Sequence, residues 1–139
     1  MLSIEKKIKV KSRTENLGKI RTFLYSISEA AGFDKKKREE IILAADEACT
    51  NIIKHAYEFN PDKEIEISVF FQNDKLTIII KDTGKKFHPQ SVEPPDLEAK
   101  LKKRKSGGLG VHLIKTLMDD VEYDFSNPDI NILKLVKKI

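Results

Sequence analysis

Hydrophobic spacing divides the chain into elements before any motif is considered. From Ile4 to Val10 apolar and charged residues alternate, Ile4, Ile8 and Val10 against Glu5, Lys7 and Lys9, which predicts a strand over residues 3–11. The period then changes. Leu17, Ile20, Phe23, Leu24, Ile27 and Ala31 recur at three- and four-residue intervals, one face of a helix over residues 14–31. Ser12 or Thr14 suits its cap, Glu15 its first turn and Gly32 its end. Asp34 caps the next helix, whose charged first stretch, Lys35 to Glu40, leads into Leu43–Tyr57. There Ile41, Ile42, Ala45, Ala48, Cys49, Ile52, Ile53 and Ala56 share a face, so the stretch reads as one long helix.

After the turn cluster Glu58 to Asp62, alternation returns. Ile65, Ile67, Val69 and Phe71 are set against Glu66, Ser68 and Phe70; past the reversal Gln72-Asn73-Asp74, Leu76, Ile78 and Ile80 are set against Thr77, Ile79 and Lys81. This is a hairpin. Phe70 and Ile79 point outward, consistent with a second covered sheet face or with packing under a loop. His88 to Ser106 has neither period and holds Pro89, Pro94, Pro95 and a basic run through Lys105; a loop of this kind is usually functional or disordered. Gly107-Gly108-Leu109-Gly110 then opens a helix with Val111, Ile114, Leu117 and Met118 on its apolar side. Strands are expected over 120–126 and 130–138, joined by Ser126-Asn127-Pro128-Asp129. Runs of consecutive strands in the order β-α-α-β-β-loop-α-β-β imply an α+β fold: a two-layer α/β sandwich with a mixed, mostly antiparallel sheet and helices on one face.

Composition narrows the setting. The 139 residues fit one domain over 1–139, and 40% hydrophobic with 35% charged residues is the balance of a globular protein. No apolar run approaches the ~20 residues of a membrane span. Met1 to Lys11 is charged and alternating, unlike a signal peptide. Cys49 is the single cysteine, so neither an internal disulfide nor a cysteine metal site is available. A cytoplasmic location, no membrane and no direct nucleic-acid partner are expected. The net charge of +4 admits an anionic partner such as a nucleotide, but no helix-turn-helix, zinc-finger spacing or aromatic-rich basic strand accompanies it. Without Trp, a base-stacking surface is not expected.

Three islands hold candidate chemistry. Glu47 and Asn51 are four apart and stack on one side of the helix; the pair reads either as surface chemistry or as a base and a metal ligand. Asp82-Thr83-Gly84 at a strand end reads as a turn or as a ligand. Gly107 to Gly110 reads as a loop or as a phosphate site, since glycines admit close approach and a helix start offers free N–H groups. It is neither a Rossmann fingerprint, lacking the βαβ unit, nor a P-loop, lacking Lys-Ser/Thr. Lys103 and Arg104 read as phosphate contacts or as part of a solvated charge run. Arg21 reads as an ordinary surface residue or a partner contact.

Order and spacing together are more specific. Glu-x-x-x-Asn on a helix, a strand ending Asp-x-Gly, a basic loop and Gly-Gly-x-Gly opening a helix resemble the Bergerat-type ATP-binding fold shared by DNA gyrase, histidine kinases and MutL-type proteins. Asp46-Glu47-Ala48-Cys49-Thr50-Asn51 with His55-Ala56-Tyr57, and Gly107-Gly108-Leu109-Gly110 with Leu117-Met118-Asp119-Asp120-Val121, resemble the anti-sigma-factor serine/threonine kinases. The resemblance implies ATP and Mg²⁺ as cofactors. It makes Glu47 the general base and Asn51 the Mg²⁺ ligand. Asp82 would take the adenine amine, with Gly84 leaving room for the ring. Gly107, Gly108, Leu109 and Gly110 would meet the phosphates through backbone N–H groups, with Lys103 and Arg104 in a mobile lid over about 88–106. His55 becomes a wall residue of the site. The implied activity is phosphorylation of a STAS-domain anti-sigma antagonist, with a sigma factor sequestered on a partner face and a homodimer possible. The alternative is an ATP-binding partner-switching regulator with little or no kinase activity, and a third reading is a module that binds no nucleotide. Two departures stand out. Where relatives open the last strand with Gly-Thr, this chain has Asp129-Ile130-Asn131-Ile132, and Lys85-Lys86 makes the loop after Gly84 unusually basic.

Overall fold

The structure, a computed structural model, describes residues 2–86 and 106–139, and for residues 106–109 the backbone alone. The lid expected over 88–106 therefore falls almost entirely outside the described residues, as do Lys103 and Arg104.

Strand β1 (Ile4–Lys11) is followed by a 3-10 turn (Thr14–Asn16) and helix α1 (Leu17–Ala30). Gly32 ends the segment with a φ of +94°, a conformation a side chain would strain. Helix α2 (Lys35–Asn51) starts where expected: the Asp34 carboxylate accepts the Lys37 N–H at 2.8 Å. The hairpin β2 (Glu64–Gln72) and β3 (Lys75–Asp82) turns on Asn73 and Asp74, both at positive φ, which Asn and Asp tolerate and tight hairpins require. Helix α3 (Ser106–Leu117) and strands β4 (Asp120–Asp124) and β5 (Asn131–Lys138) complete the described chain.

The five strands form one sheet in the order β1-β2-β3-β5-β4, with every pairing antiparallel. Ile65, Ile67, Val69 and Phe71 of β2, Leu76, Ile78 and Ile80 of β3, and Leu133 and Leu135 of β5 are buried against Ile20, Leu24 and Ile27 of α1, Ile41, Ala45, Ala48 and Cys49 of α2, and Ile114 of α3. On the other face Phe70 stays exposed and Ile79 half-buried. Ala44, outside the predicted stripe, is also buried, because α2 packs against both α1 and α3 and so buries a wider arc than one face.

One expectation needs correction. Residues 43–57 are not a continuous α-helix: the α-helix ends at Asn51 and a π-helical turn, Ile52–Ala56, continues it. The Tyr57 N–H reaches back five residues to the Ile52 carbonyl at 2.8 Å. Periodicity cannot register this change, since the apolar residues Ile52, Ile53 and Ala56 suit either winding. Such turns recur at functional sites because they re-aim side chains.

Candidate active site

The second helix carries the site's chemistry, and α3 completes it. Glu47 and Asn51 are partly buried on α2, facing Gly110 of α3. A Cβ on Gly110 would lie 3.0 Å from Asn51 Nδ2 and 3.2 Å from Glu47 Oε2. Glycine here is what lets the carboxylate and the carboxamide meet the start of a helix. Gly110 is the fifth residue of α3, past the N–H groups that a helix start leaves free, so its clear contribution is the missing side chain. Gly107 and Gly108 lie in the first turn.

Beside this point lies a cavity of about 280 Å³, lined by Ala48, Asn51, His55, Asp82, Val111, Tyr123, Phe125 and Asn131 among others. It extends from α2 and the π-helical turn to the ends of β3 and β5. Asp82 is 7% exposed at its far end. Burial pushes the Asp82 carboxyl above its ordinary pKa, while hydrogen bonds from the Asn131 amide and the Gly84 N–H and the charge of Lys86 pull the other way. The Gly84 N–H and Asn131 Nδ2 each donate to Asp82 Oδ1 at 2.8 Å. Gly84 has a reason of its own to lack a side chain: a Cβ would fall 2.4 Å from the Ala56 carbonyl oxygen, where the Lys85 N–H docks at 2.8 Å. The loop after β3 is thus pinned to the π-helical turn.

Tyr57 adds a second pin. Its buried hydroxyl donates to the Glu64 carbonyl and accepts the Thr83 N–H at 2.8 Å, tying the end of the α2 segment to the residue after Asp82. The sequence marks Tyr57 only as part of the His55-Ala56-Tyr57 motif, without this role, and does not mark Tyr123 or Phe125. The last two stack at 5.9 Å and line the cavity, an aromatic wall despite the absence of Trp. Burial pushes the Tyr123 phenol up to about 12. Cys49 is pushed up to about 12 by burial and by the nearby Asp46 and Asp82 carboxylates, which makes it an inert core thiol. Lys85 pairs with Glu58 at 2.7 Å, and Arg21 with Asp46 at 2.8 Å.

Among the described residues no cluster of three His, Cys, Asp or Glu side chains could hold a metal by itself. The amide oxygen of Asn51 suits instead a hard cation that takes one or two protein ligands and keeps the rest of its shell as water and phosphate, as Mg²⁺ does. No helix among the described residues is long and apolar enough to cross a membrane.

Residues 10–137 match the Histidine kinase-like ATPase domain family. Serine-protein kinase RsbW of Listeria monocytogenes is 37% identical over 106 residues, covering 73% of this chain and 68% of the relative. The RsbW of Bacillus subtilis is 32% identical over 118 residues, covering 82% and 74%. Among solved structures, the RsbU and RsbW domains of a Mycobacterium tuberculosis protein superpose with a TM-score of 0.70 at 13% identity, covering 97% of this chain and 32% of that one. A chain of the Pseudomonas aeruginosa SiaB–SiaC complex gives 0.69 at 12% identity, covering 94% and 88%. The matched helices, the five-stranded sheet and the identity across most of its length place this chain in the histidine kinase-like ATPase family and, within it, among the serine-protein kinases of the RsbW type.

Proposed function

We propose that this protein is an ATP-dependent serine/threonine kinase that phosphorylates a STAS-domain anti-sigma antagonist in the cytoplasm and, by its partner face, sequesters a sigma factor. The observation that carries the reading is the convergence of Glu47 and Asn51 on Gly110, beside a cavity that ends at the buried carboxylate of Asp82.

ATP would lie with its base toward Asp82, in the cavity walled by Tyr123, Phe125 and Val111, and its phosphates toward the first turn of α3. There the N–H groups of Gly107 and Gly108 suit phosphate oxygens. Lys103 and Arg104 would add charge from the lid. Bound Mg²⁺, held by Asn51 Oδ1, would neutralise charge on the triphosphate. Glu47 accepts the proton of the incoming serine hydroxyl, within the same one-turn spacing. Asn51 and Glu47 lie on a rigid stretch of α-helix, so their separation is set before ATP arrives. That serves a reaction in which positioning and charge neutralisation do most of the work. The alternative, a nucleotide-driven switch without transfer, has no use for a carboxylate at Glu47. The exposed Phe70 beside Ile79 on the uncovered sheet face is where a homodimer would form.

Incubation with radiolabelled ATP and a STAS-domain protein encoded nearby tests the reading. Label on a partner serine that disappears in Glu47→Ala supports the kinase. Tight ATP binding without transfer by the wild type would leave the switch, and no ATP binding would remove both.

A further inference from the structure

We propose that Asn131 sets the purine preference of the cavity: with both amide N–H groups committed to Asp82 Oδ1 and Gly84 O, this end of the cavity offers a base, among the described residues, one acceptor, Asp82 Oδ2, and no donor, so that a 6-amino purine is accepted and a 6-oxo purine refused. The proposal rests on the reading of the cavity as an ATP site.

Asp82 and Asn131 are cross-strand partners on β3 and β5, and both are buried. Asn131 Nδ2 donates to Asp82 Oδ1 at 2.8 Å and to the Gly84 carbonyl at 3.0 Å, and its Oδ1 accepts from Lys86 Nζ at 2.7 Å. The neighbours dictate this orientation. A flipped amide would set its oxygen against a carboxylate and a carbonyl, and its NH₂ against an ammonium. Asp82 Oδ1, with a second donor in the Gly84 N–H, is filled.

Lys86 does not supply the missing donor. Its ammonium also donates to the Asn127 carbonyl at 2.7 Å and the Ile130 carbonyl at 3.4 Å, and it sits 5.6 Å from the Phe125 ring centroid. Its three N–H groups therefore have partners, and Lys86 acts as a positioning residue for Asn131. Lys85 is paired with Glu58. The 6-oxo oxygen of an inosine or guanine base would meet the second oxygen of a fixed carboxylate. A site built around a substrate N–H rejects the analogue lacking it by up to about 10⁴-fold.

Exchanging the amide for a carboxylate should weaken this preference. Two carboxyls about 2.8 Å apart share a proton. Lys86 favours the ionised form of the residue-131 side, so the shared proton sits on Asp82 Oδ1 between the two carboxyls, and Oδ2 becomes the oxygen of a neutral acid, a weaker acceptor for a 6-amino group and no longer a charge set against a 6-oxo oxygen. The other titratable groups lining this cavity with Asp82 are the Tyr123 phenol of β4, His55 of the π-helical turn and Lys85, with the neutral Cys49 thiol of α2 nearby; Lys81, Glu64 and Glu66 lie with Asp82 on the opposite side.

The test is titration calorimetry of ATP and ITP, each with Mg²⁺, on the wild type, Asn131→Asp and Asn131→Ala, with folding checked by circular dichroism. The wild type is expected to prefer ATP by at least about 100-fold. Asn131→Asp should lower that ratio at least tenfold, chiefly by weakening ATP. Asn131→Ala should lower it several-fold by weakening ATP alone. Folded variants that bind ATP with the wild-type ATP:ITP ratio would overturn the role of Asn131 and leave the ATP site standing. A wild type that binds neither nucleotide would remove the ATP site and the proposal with it.

Discussion

Replacing Gly110 by alanine should separate stability from chemistry at this site. Within a helix, alanine is favoured over glycine by about 1 kcal/mol. Against that stands a new Cβ 3.0 Å from Asn51 Nδ2 and 3.2 Å from Glu47 Oε2. Both neighbours are side-chain ends that can yield by a few tenths of an ångström, and none of the closest atoms is backbone. The fold should therefore be unchanged or up to about 1 kcal/mol more stable. The same small displacement falls on the proposed base and metal ligand. Misplacement of reacting groups by an ångström costs about 10²-fold, so a shift of a few tenths should lower the rate of phosphoryl transfer by about tenfold. Gly84→Ala is the contrasting case. Its Cβ would lie 2.4 Å from the Ala56 oxygen and 2.6 Å from the Ala56 carbonyl carbon, backbone atoms tied by the Lys85 N–H. Overpacking against fixed backbone should cost about 2–3 kcal/mol. Urea unfolding measures the stabilities and single-turnover transfer from labelled ATP measures the rate. A Gly110→Ala protein that loses more than about 2 kcal/mol, or transfers phosphate at the wild-type rate, would refute the argument.

Three further outcomes follow from named contacts. Burial raises the folded pKa of Asp82 above its unfolded value, so ionising it opposes folding, a cost absent well below pH 4 and fully present above the folded pKa. Asp82→Asn should therefore melt at a higher temperature than the wild type at pH 7, lose that advantage near pH 3 in calorimetric scans, and bind ATP at least about 100-fold more weakly. Lys137, buried on β5, lies 3.6 Å from Glu40 and donates to the Leu117 carbonyl at the end of α3; Lys137→Met should cost about 1–3 kcal/mol in urea unfolding, at least half of it recovered when Glu40 is also replaced by Met. Asp34→Ala removes the cap of α2 and should cost about 1 kcal/mol, with faster hydrogen exchange confined to the first turn of that helix.

The candidate residues divide by how far apart in sequence their partners lie. Glu47 and Asn51 were legible because a helix brings residues four apart onto one side. The alternation of β2 and β3 was legible because each strand's period is a property of the strand alone. Asp82, with its glycine, was legible as a site residue only in combination with the other islands. The roles of Asn131 and Lys86 were not legible, because each depends on β3 pairing with β5 across 49 residues. The π-helical turn was hidden too, since Ile52, Ile53 and Ala56 suit either winding and the backbone that docks on it, Gly84–Lys85, lies nearly thirty residues away.

What the amino-acid order determined by itself was the set of elements, the apolar face of each, the basic loop and the spacing of base and ligand, all consequences of helix and strand periods acting over a few residues. What only the tertiary structure decided was which ends meet. Gly110 sits against Glu47 and Asn51, Tyr57 clamps Thr83, and Asn131 fills one oxygen of Asp82. The physical reason is that each of these contacts closes between elements whose relative placement is set by burial of the whole core, a quantity no short stretch of sequence contains.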